Sequence, residues 1–141
     1  MLRRITILVL FLSVQALVKE GYRDEPCKSS NLAPSCFQTH ARLGAGEGTP
    51  SVRLWPIGSH RLYGIYSNRQ GFIHRYTTLD NEAPEFPPQV ERAATRIQKL
   101  SGPGGWTLYG DFEVCPLEPH IEGHMQAACI ASANHIFVPK Q

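Results

Sequence analysis

Two histidines four residues apart, His120 and His124, flank a glutamate and form a candidate metal site. On a helix, side chains at i and i+4 share a face and can bind one metal ion. Here Pro116, Pro119 and Gly123 predict a loop instead. A protein zinc site needs at least three protein ligands. The sequence therefore favours an ordinary loop without a metal, and metal binding by His120 and His124 is the alternative.

Asp111 and Glu113 form a candidate carboxylate pair. At positions i and i+2 of a strand they share a face, with Cα atoms about 6–7 Å apart. Paired carboxylates can hydrolyse glycosides, but that reaction also needs a sugar-binding cleft, of which the sequence gives no sign. A solvated strand face is the preferred interpretation, and a carboxylate-dependent hydrolase is the alternative.

Aromatic and arginine side chains cluster on two predicted neighbouring strands. Aromatic rings stack on sugars or bases, and arginines pair with anions. The alternative is that the tryptophan and one tyrosine belong to the core. The predicted ligand-binding residues are Arg53, Trp55, Arg61, Tyr63 and Tyr66.

The chain has four cysteines, Cys27, Cys36, Cys115 and Cys129. An even number in an exported protein predicts two disulfides, for which three pairings are possible. We expect the local pairs Cys27–Cys36 and Cys115–Cys129. In a predicted hairpin, Cys115 and Cys129 would face each other across its two strands. Zinc is disfavoured because no Cys-x-x-Cys pair occurs.

The first residues have the order of a secretory signal. Arg3 and Arg4 precede the apolar run 5–12, and small residues lead to a cleavage site at Ala16. A spanning helix needs about 20 apolar residues, and Lys19 interrupts the run before that length. We therefore expect a secreted or periplasmic protein with no transmembrane segment after cleavage.

Removal of residues 1–16 leaves 125 of the 141 residues, enough for one domain. Both surplus positive charges lie in the leader, so the rest of the chain is neutral, with twelve basic and twelve acidic residues. Neutrality argues against a nucleic-acid partner. Residues 17–35 are polar and turn-rich and predict an extended arm before the domain 36–141.

Periodicity predicts a mostly β domain with one helix. The order of three strands, a helix and two strands is that of the OB fold, a small five-stranded barrel. A flatter α+β sheet with the helix on one face is the alternative. The predicted strands are Cys36–Leu43, Ser51–Trp55, Arg61–Tyr66, Trp106–Leu117 and Met125–Val138, the last bulged near 131–134, and the helix is Gln89–Leu100.

Several short segments together resemble a group of small exported bacterial proteins without an established activity. The resemblance covers about residues 36–138 and implies no catalytic residues. The segments that carry it are Cys36-Phe37, 48–55, Ile57-Gly58, Arg61-Leu62, 110–117 and 128–133.

No serine-nucleophile motif, phosphate loop or dinucleotide fingerprint occurs in the sequence. We therefore expect no cofactor and a non-enzymatic role. The predicted function is a binding or structural module of the cell envelope that acts on an envelope ligand or a protein partner. The alternative is a small metal- or carboxylate-dependent hydrolase that uses His120, His124 or Asp111.

Overall fold

The computed structural model describes residues 26–68 and 84–140. The predicted leader 1–16 and residues 17–25 of the predicted arm lie outside the described residues. The elements are a short 3-10 helix, Ala33–Ser35, followed by β1 (Phe37–Ala45), β2 (Val52–Pro56), β3 (Tyr63–Ile65), α1 (Pro88–Ser101), β4 (Trp106–Pro116) and β5 (Gln126–Phe137).

The five strands close into one barrel in the order β1-β2-β3-β5-β4, with β4 returning to β1. All neighbours are antiparallel except β3 and β5, which are parallel. The single helix lies between β3 and β4 in the chain. This is the predicted OB-like barrel. Because the barrel is closed, the alternative of a flatter α+β sheet with the helix on one face is wrong.

Alternating side chains explain which face of each strand is buried. On β2, Val52 and Leu54 are buried while Arg53 and Trp55 point outward. Period-2 alternation fills the barrel interior from every strand. The buried core also includes Ala41, Leu43, Tyr63, Ile65, Leu108, Phe112, Val114, Ala128, Ile130 and Ala133.

Helix α1 begins at the predicted position and covers part of the core. Pro88 suits the first turn because a first-turn backbone N–H has no partner within the helix. Val90, Ala94 and Ile97 are buried at helical spacing. The same spacing would place Leu100 on this face, but its side chain is 82% exposed. The last turn of α1 therefore does not pack on the barrel.

Strand β5 contains two irregularities in its pairing with β4; the first confirms the bulge predicted near 131–134, and the second lies beyond that range. Glu113 pairs with Ser132 while Val114 pairs with Ile130, so Ala131 is an extra residue. A second extra residue lies at 135–136, opposite the single residue Gly110, and His135 there has a positive φ of 50°. Each bulge resets the alternation of side chains along the strand.

All four cysteines form disulfides, as predicted, but the predicted pairing is wrong. The bonds join Cys27 to Cys129 and Cys36 to Cys115. Cys115 and Cys129 do face each other across β4 and β5, yet each is bonded to the segment before β1. The two disulfides therefore fasten the segment before β1 to the end of β4 and to the beginning of β5.

The register of β1 on β4 explains this pairing. Phe37 lies opposite Val114, so Cys36 continues the register to Cys115, and their Cα atoms are 4.1 Å apart. Local spacing along the chain favours short loops, but the barrel brings residues 79 and 102 positions apart into contact. Cys115, which is bonded to Cys36, is fully buried, although alternation along β4 would turn its side chain outward.

Among the described residues, no helix is both long enough and apolar enough to cross a membrane.

Candidate functional site

The two tyrosines of the predicted ligand-binding set are part of the core. Tyr63 is 3% exposed and Tyr66 is 8% exposed. Tyr63 faces inward opposite Leu54, and its ring is tilted by 47° to that of Phe37, with ring centroids 5.6 Å apart. These rings therefore cannot serve as an open stacking surface in this conformation.

The two arginines of the set are held by the protein itself. Arg61 donates to the Gln126 side-chain oxygen (2.6 Å), and its guanidinium lies 5.2 Å from the Tyr63 ring centroid. Arg53 lies under the β1–β2 loop, where it donates to the backbone oxygen of Glu47 (3.4 Å). The Arg53 guanidinium thus binds the β1–β2 loop, and that of Arg61 binds the first residue of β5.

Trp55 is the exposed member of the predicted set, with 43% of its surface accessible. Its indole N–H donates to the Ser59 backbone oxygen (2.8 Å), which fixes the ring in the β2–β3 turn. The Arg42 guanidinium lies 4.9 Å from the ring centroid. This arrangement is a cation–π contact between β1 and β2.

Strand register surrounds Trp55 with outward side chains from three strands. Arg42 pairs with Trp55 on one side and with Tyr109 on the other. Two residues before Arg42 on β1, the His40 backbone oxygen accepts a hydrogen bond from the Ile57 backbone N–H (2.9 Å). In the strand register, His40 lies opposite Asp111 of β4. We call these six residues the Trp55 patch: Arg42, His40, Trp55, Ile57, Tyr109 and Asp111.

Asp111 lies between two histidines on the neighbouring strands. The Nδ1 atom of His40 is 2.8 Å from Oδ1, and Nδ1 of His135 is 2.9 Å from Oδ2. Two hydrogen bonds lower the pKa of the Asp111 carboxyl: the one from His40 has the larger effect, and the one from His135 the smaller. An ionised carboxylate only accepts, so both histidines donate from Nδ1. Their Nε2 atoms remain for other partners, of which the described residues provide none.

The second bulge of β5 builds this cluster. Simple alternation after the inward residue Ala133 would turn His135 into the barrel and Ile136 outward. With the extra residue, His135 is exposed beside Asp111 and Ile136 packs against the core. Alternation assigns faces only within an uninterrupted strand, so the sequence alone does not place His40 and His135 beside Asp111. The predicted bulge near 131–134 lies just before this one, so the sequence contains no direct signal for the position of His135.

The candidate pair Asp111 and Glu113 is divided between two different contacts. Glu113 forms an ion pair with Lys28 and accepts a long hydrogen bond from Ser132 (3.4 Å). Asp111 has a lowered pKa because of its histidines. A glycosidase acid instead needs a raised pKa. The lowered pKa of Asp111 thus fits the charged member of such a pair better than the acid.

His120 and His124 both lie exposed in the β4–β5 loop. The His124 backbone N–H donates to the Ile121 oxygen in a turn (3.1 Å), and no helix forms there. Within residues 26–68 and 84–140, no group of three or more His, Cys, Asp or Glu side chains is arranged to hold a metal ion. Metal binding by these two histidines stays a prediction without a third ligand.

A comparison of the chain with protein-family models, with curated proteins and with solved structures finds no match.

Proposed function

We propose that this protein is an exported, non-enzymatic binding domain of the cell envelope that binds a carbohydrate through the Trp55 patch. The single observation that carries the proposal is the exposed Trp55 ring, fixed by Ser59 and covered on one side by Arg42. An immobilised aromatic ring binds an apolar sugar face at little cost in conformational entropy.

Polar groups of the patch can bind the hydroxyls around such a sugar. Arg42 hydrogen-bonds to no described residue, so its five N–H donors are available. Each oxygen of Asp111 accepts one hydrogen bond and keeps a further acceptor site. A ligand rich in hydroxyls needs both donors and acceptors, and the patch offers both.

Charge supports a neutral ligand. The chain after residue 16 has as many acidic as basic residues, and in the patch Arg42 is balanced by Asp111. A nucleic-acid site would need an excess of cations. The two disulfides support an oxidising compartment, which fits a secreted or periplasmic location.

The proposal is tested with an array of envelope glycans that includes peptidoglycan fragments, followed by calorimetry on the bound glycan. We expect Trp55→Ala to weaken binding at least tenfold, which corresponds to about 1.4 kcal/mol. Ile121→Ala is the matched control, because it removes an apolar side chain from the β4–β5 loop that is 54% exposed, against 43% for Trp55.

Two results would contradict the proposal. One is glycan binding that Trp55→Ala leaves unchanged. The other is the absence of any bound glycan together with an envelope protein whose capture depends on Trp55, which would make the patch a protein interface.

Hydrolysis is the second candidate function, and the hydrogen bonds of His40 and His135 to Asp111 favour it. When a carboxylate accepts a hydrogen bond from Nδ1–H of a histidine, the Nε2 atom of that histidine can act as a general base. Such a base contributes about 10²–10⁴ in rate. If the protein cleaves nitrophenyl esters or glycosides, we expect His40→Ala or His135→Ala to reduce the rate at least hundredfold. A complete lack of cleavage would remove this candidate.

A further inference from the structure

Three cations line the outer side of α1 and have no described partner. Arg92, Arg96 and Lys99 occupy positions i, i+4 and i+7, which share one face of a helix. All three are exposed, and no described residue pairs with them. Glu91 is the one acidic residue of the helix. The helix therefore carries three positive charges and one negative charge in a chain that is neutral overall after residue 16.

A groove separates this helix face from the end of β5. Its volume is about 440 Å³. Ala93, Ile136 and Val138 line it with apolar groups, and Arg92 and Arg96 also line it. Val138 is 36% exposed, and Phe137, which precedes it in the chain, is 60% exposed. The groove thus combines an apolar lining with two guanidinium groups that have no described partner.

We propose that this groove, which we call the α1–β5 groove, binds an acidic segment of a partner protein. Two carboxylates of the segment pair with Arg92 and Arg96, and one apolar side chain of the segment fills the space over Ile136 and Val138. This binding site is separate from the Trp55 patch and does not depend on the carbohydrate proposal.

Geometry and charge favour a peptide over a lipid surface. Side chains at i and i+4 of a helix have Cβ atoms about 5–6 Å apart, close to the about 6–7 Å between alternate residues of an extended peptide. Each guanidinium can bind a carboxylate with two parallel hydrogen bonds. Basic segments that bind anionic membranes usually contain about four to eight Lys or Arg, and this face has three.

The test is selection from a displayed library of random octapeptides on the purified full-length protein. We expect enriched sequences to contain at least two acidic residues around a leucine, isoleucine or phenylalanine. Fluorescence anisotropy on a selected peptide should then show at least tenfold weaker binding to the double variant Arg92→Ala, Arg96→Ala. All of these side chains are exposed, so circular dichroism should find the variant folded.

Matched controls separate the groove from charge in general and from the Trp55 patch. Lys99→Ala removes a cation that does not line the groove, and we expect less than a threefold change. Trp55→Ala should leave peptide binding unchanged. Val138→Asp places a negative charge in the groove and should weaken binding at least tenfold.

Three results would overturn the proposal. The first is enrichment without acidic residues. The second is peptide binding that persists in the double variant. The third is a protein that selects no peptide but sediments with phosphatidylglycerol vesicles unless Arg92 and Arg96 are replaced, which would identify the face as a lipid-binding surface.

Discussion

The outer surface over β1, β4 and β5 and the outer surface over β2 and β3 use their polar residues differently. On the first surface, Asp111 is bonded to two histidines and Glu113 to Lys28. On the second, the exposed ring of Trp55 is fixed by its own turn and contacts Arg42. The carboxylates Asp111 and Glu113 are paired within the protein, whereas the apolar ring of Trp55 stays open to solvent.

This difference indicates which residues are available for function. Both carboxylates already have partners, Asp111 on the neighbouring strands and Glu113 in Lys28, so Asp111 offers a ligand only its remaining acceptor sites. Trp55 is expensive to expose, because burial of such a side chain stabilises the fold by about 2 kcal/mol or more. An exposed ring that the chain also orients with a hydrogen bond therefore points to a binding role. The predictions below test whether the two surfaces differ in this way.

The largest effect is expected where the segment before β1 is fastened to β4 and β5. Replacement of Cys27 and Cys129 by serine, or of Cys36 and Cys115, should each lower the free energy of unfolding by about 4 kcal/mol. The reason is that the closed loops span 102 and 79 residues. Urea denaturation measures the loss, and a proteolytic peptide that contains a Cys27–Cys36 bond would refute the pairing.

A smaller effect should separate Tyr63 from Trp55, two residues of the same predicted ligand-binding set. Tyr63→Ala opens a cavity beside Phe37 and should cost about 3 kcal/mol of unfolding free energy. Trp55→Ala, at a site 43% exposed, should cost less than about 1 kcal/mol. Thermal or urea unfolding of the two variants measures the difference. Equal losses would mean that Trp55 is a core residue in solution.

The smallest effect is a pH dependence caused by Asp111. Its pKa is lowered in the folded protein by His40 and His135, so the folded state favours the ionised form. The resulting stability is present above the unfolded pKa of about 3.9 and is lost as the pH falls through the lowered folded pKa.

Urea denaturation between pH 2 and pH 6 tests this dependence. The stability advantage of the wild-type protein over Asp111→Asn should shrink as the pH falls below about 4. Substitution Glu113→Gln is the comparison on the same strand face. A constant difference between wild type and Asp111→Asn across this range would contradict the role given to the two histidines.

Much of the fold could be predicted because local patterns carry it. Alternation on β4 identifies the buried face that contains Leu108 and Phe112, and helical spacing identifies Val90 and Ile97 on α1. These patterns depend only on the geometry of a single strand or helix. The end of α1 is less predictable, since exposure of Leu100 depends on how far the barrel extends beneath the helix.

The candidate site was predictable only in part. Trp55 was identified by its type and its strand, whereas Arg42 joins it because β1 is the neighbour of β2 on that side. His40 and His135 reach Asp111 from strands on either side of β4, and one of them depends on a bulge. Residues far apart in the chain meet through strand order, which no local pattern records.

By itself, the sequence determined the order of strands and helix, the neutral charge after residue 16 and the participation of all four cysteines in disulfides. Only the tertiary structure decided that Cys27 bonds to Cys129, that Tyr63 is buried while Trp55 is exposed, and that Asp111 lies between two histidines. The physical reason is that side-chain periodicity fixes the two faces of each strand. Closure of the barrel decides which strands become neighbours and what covers each face.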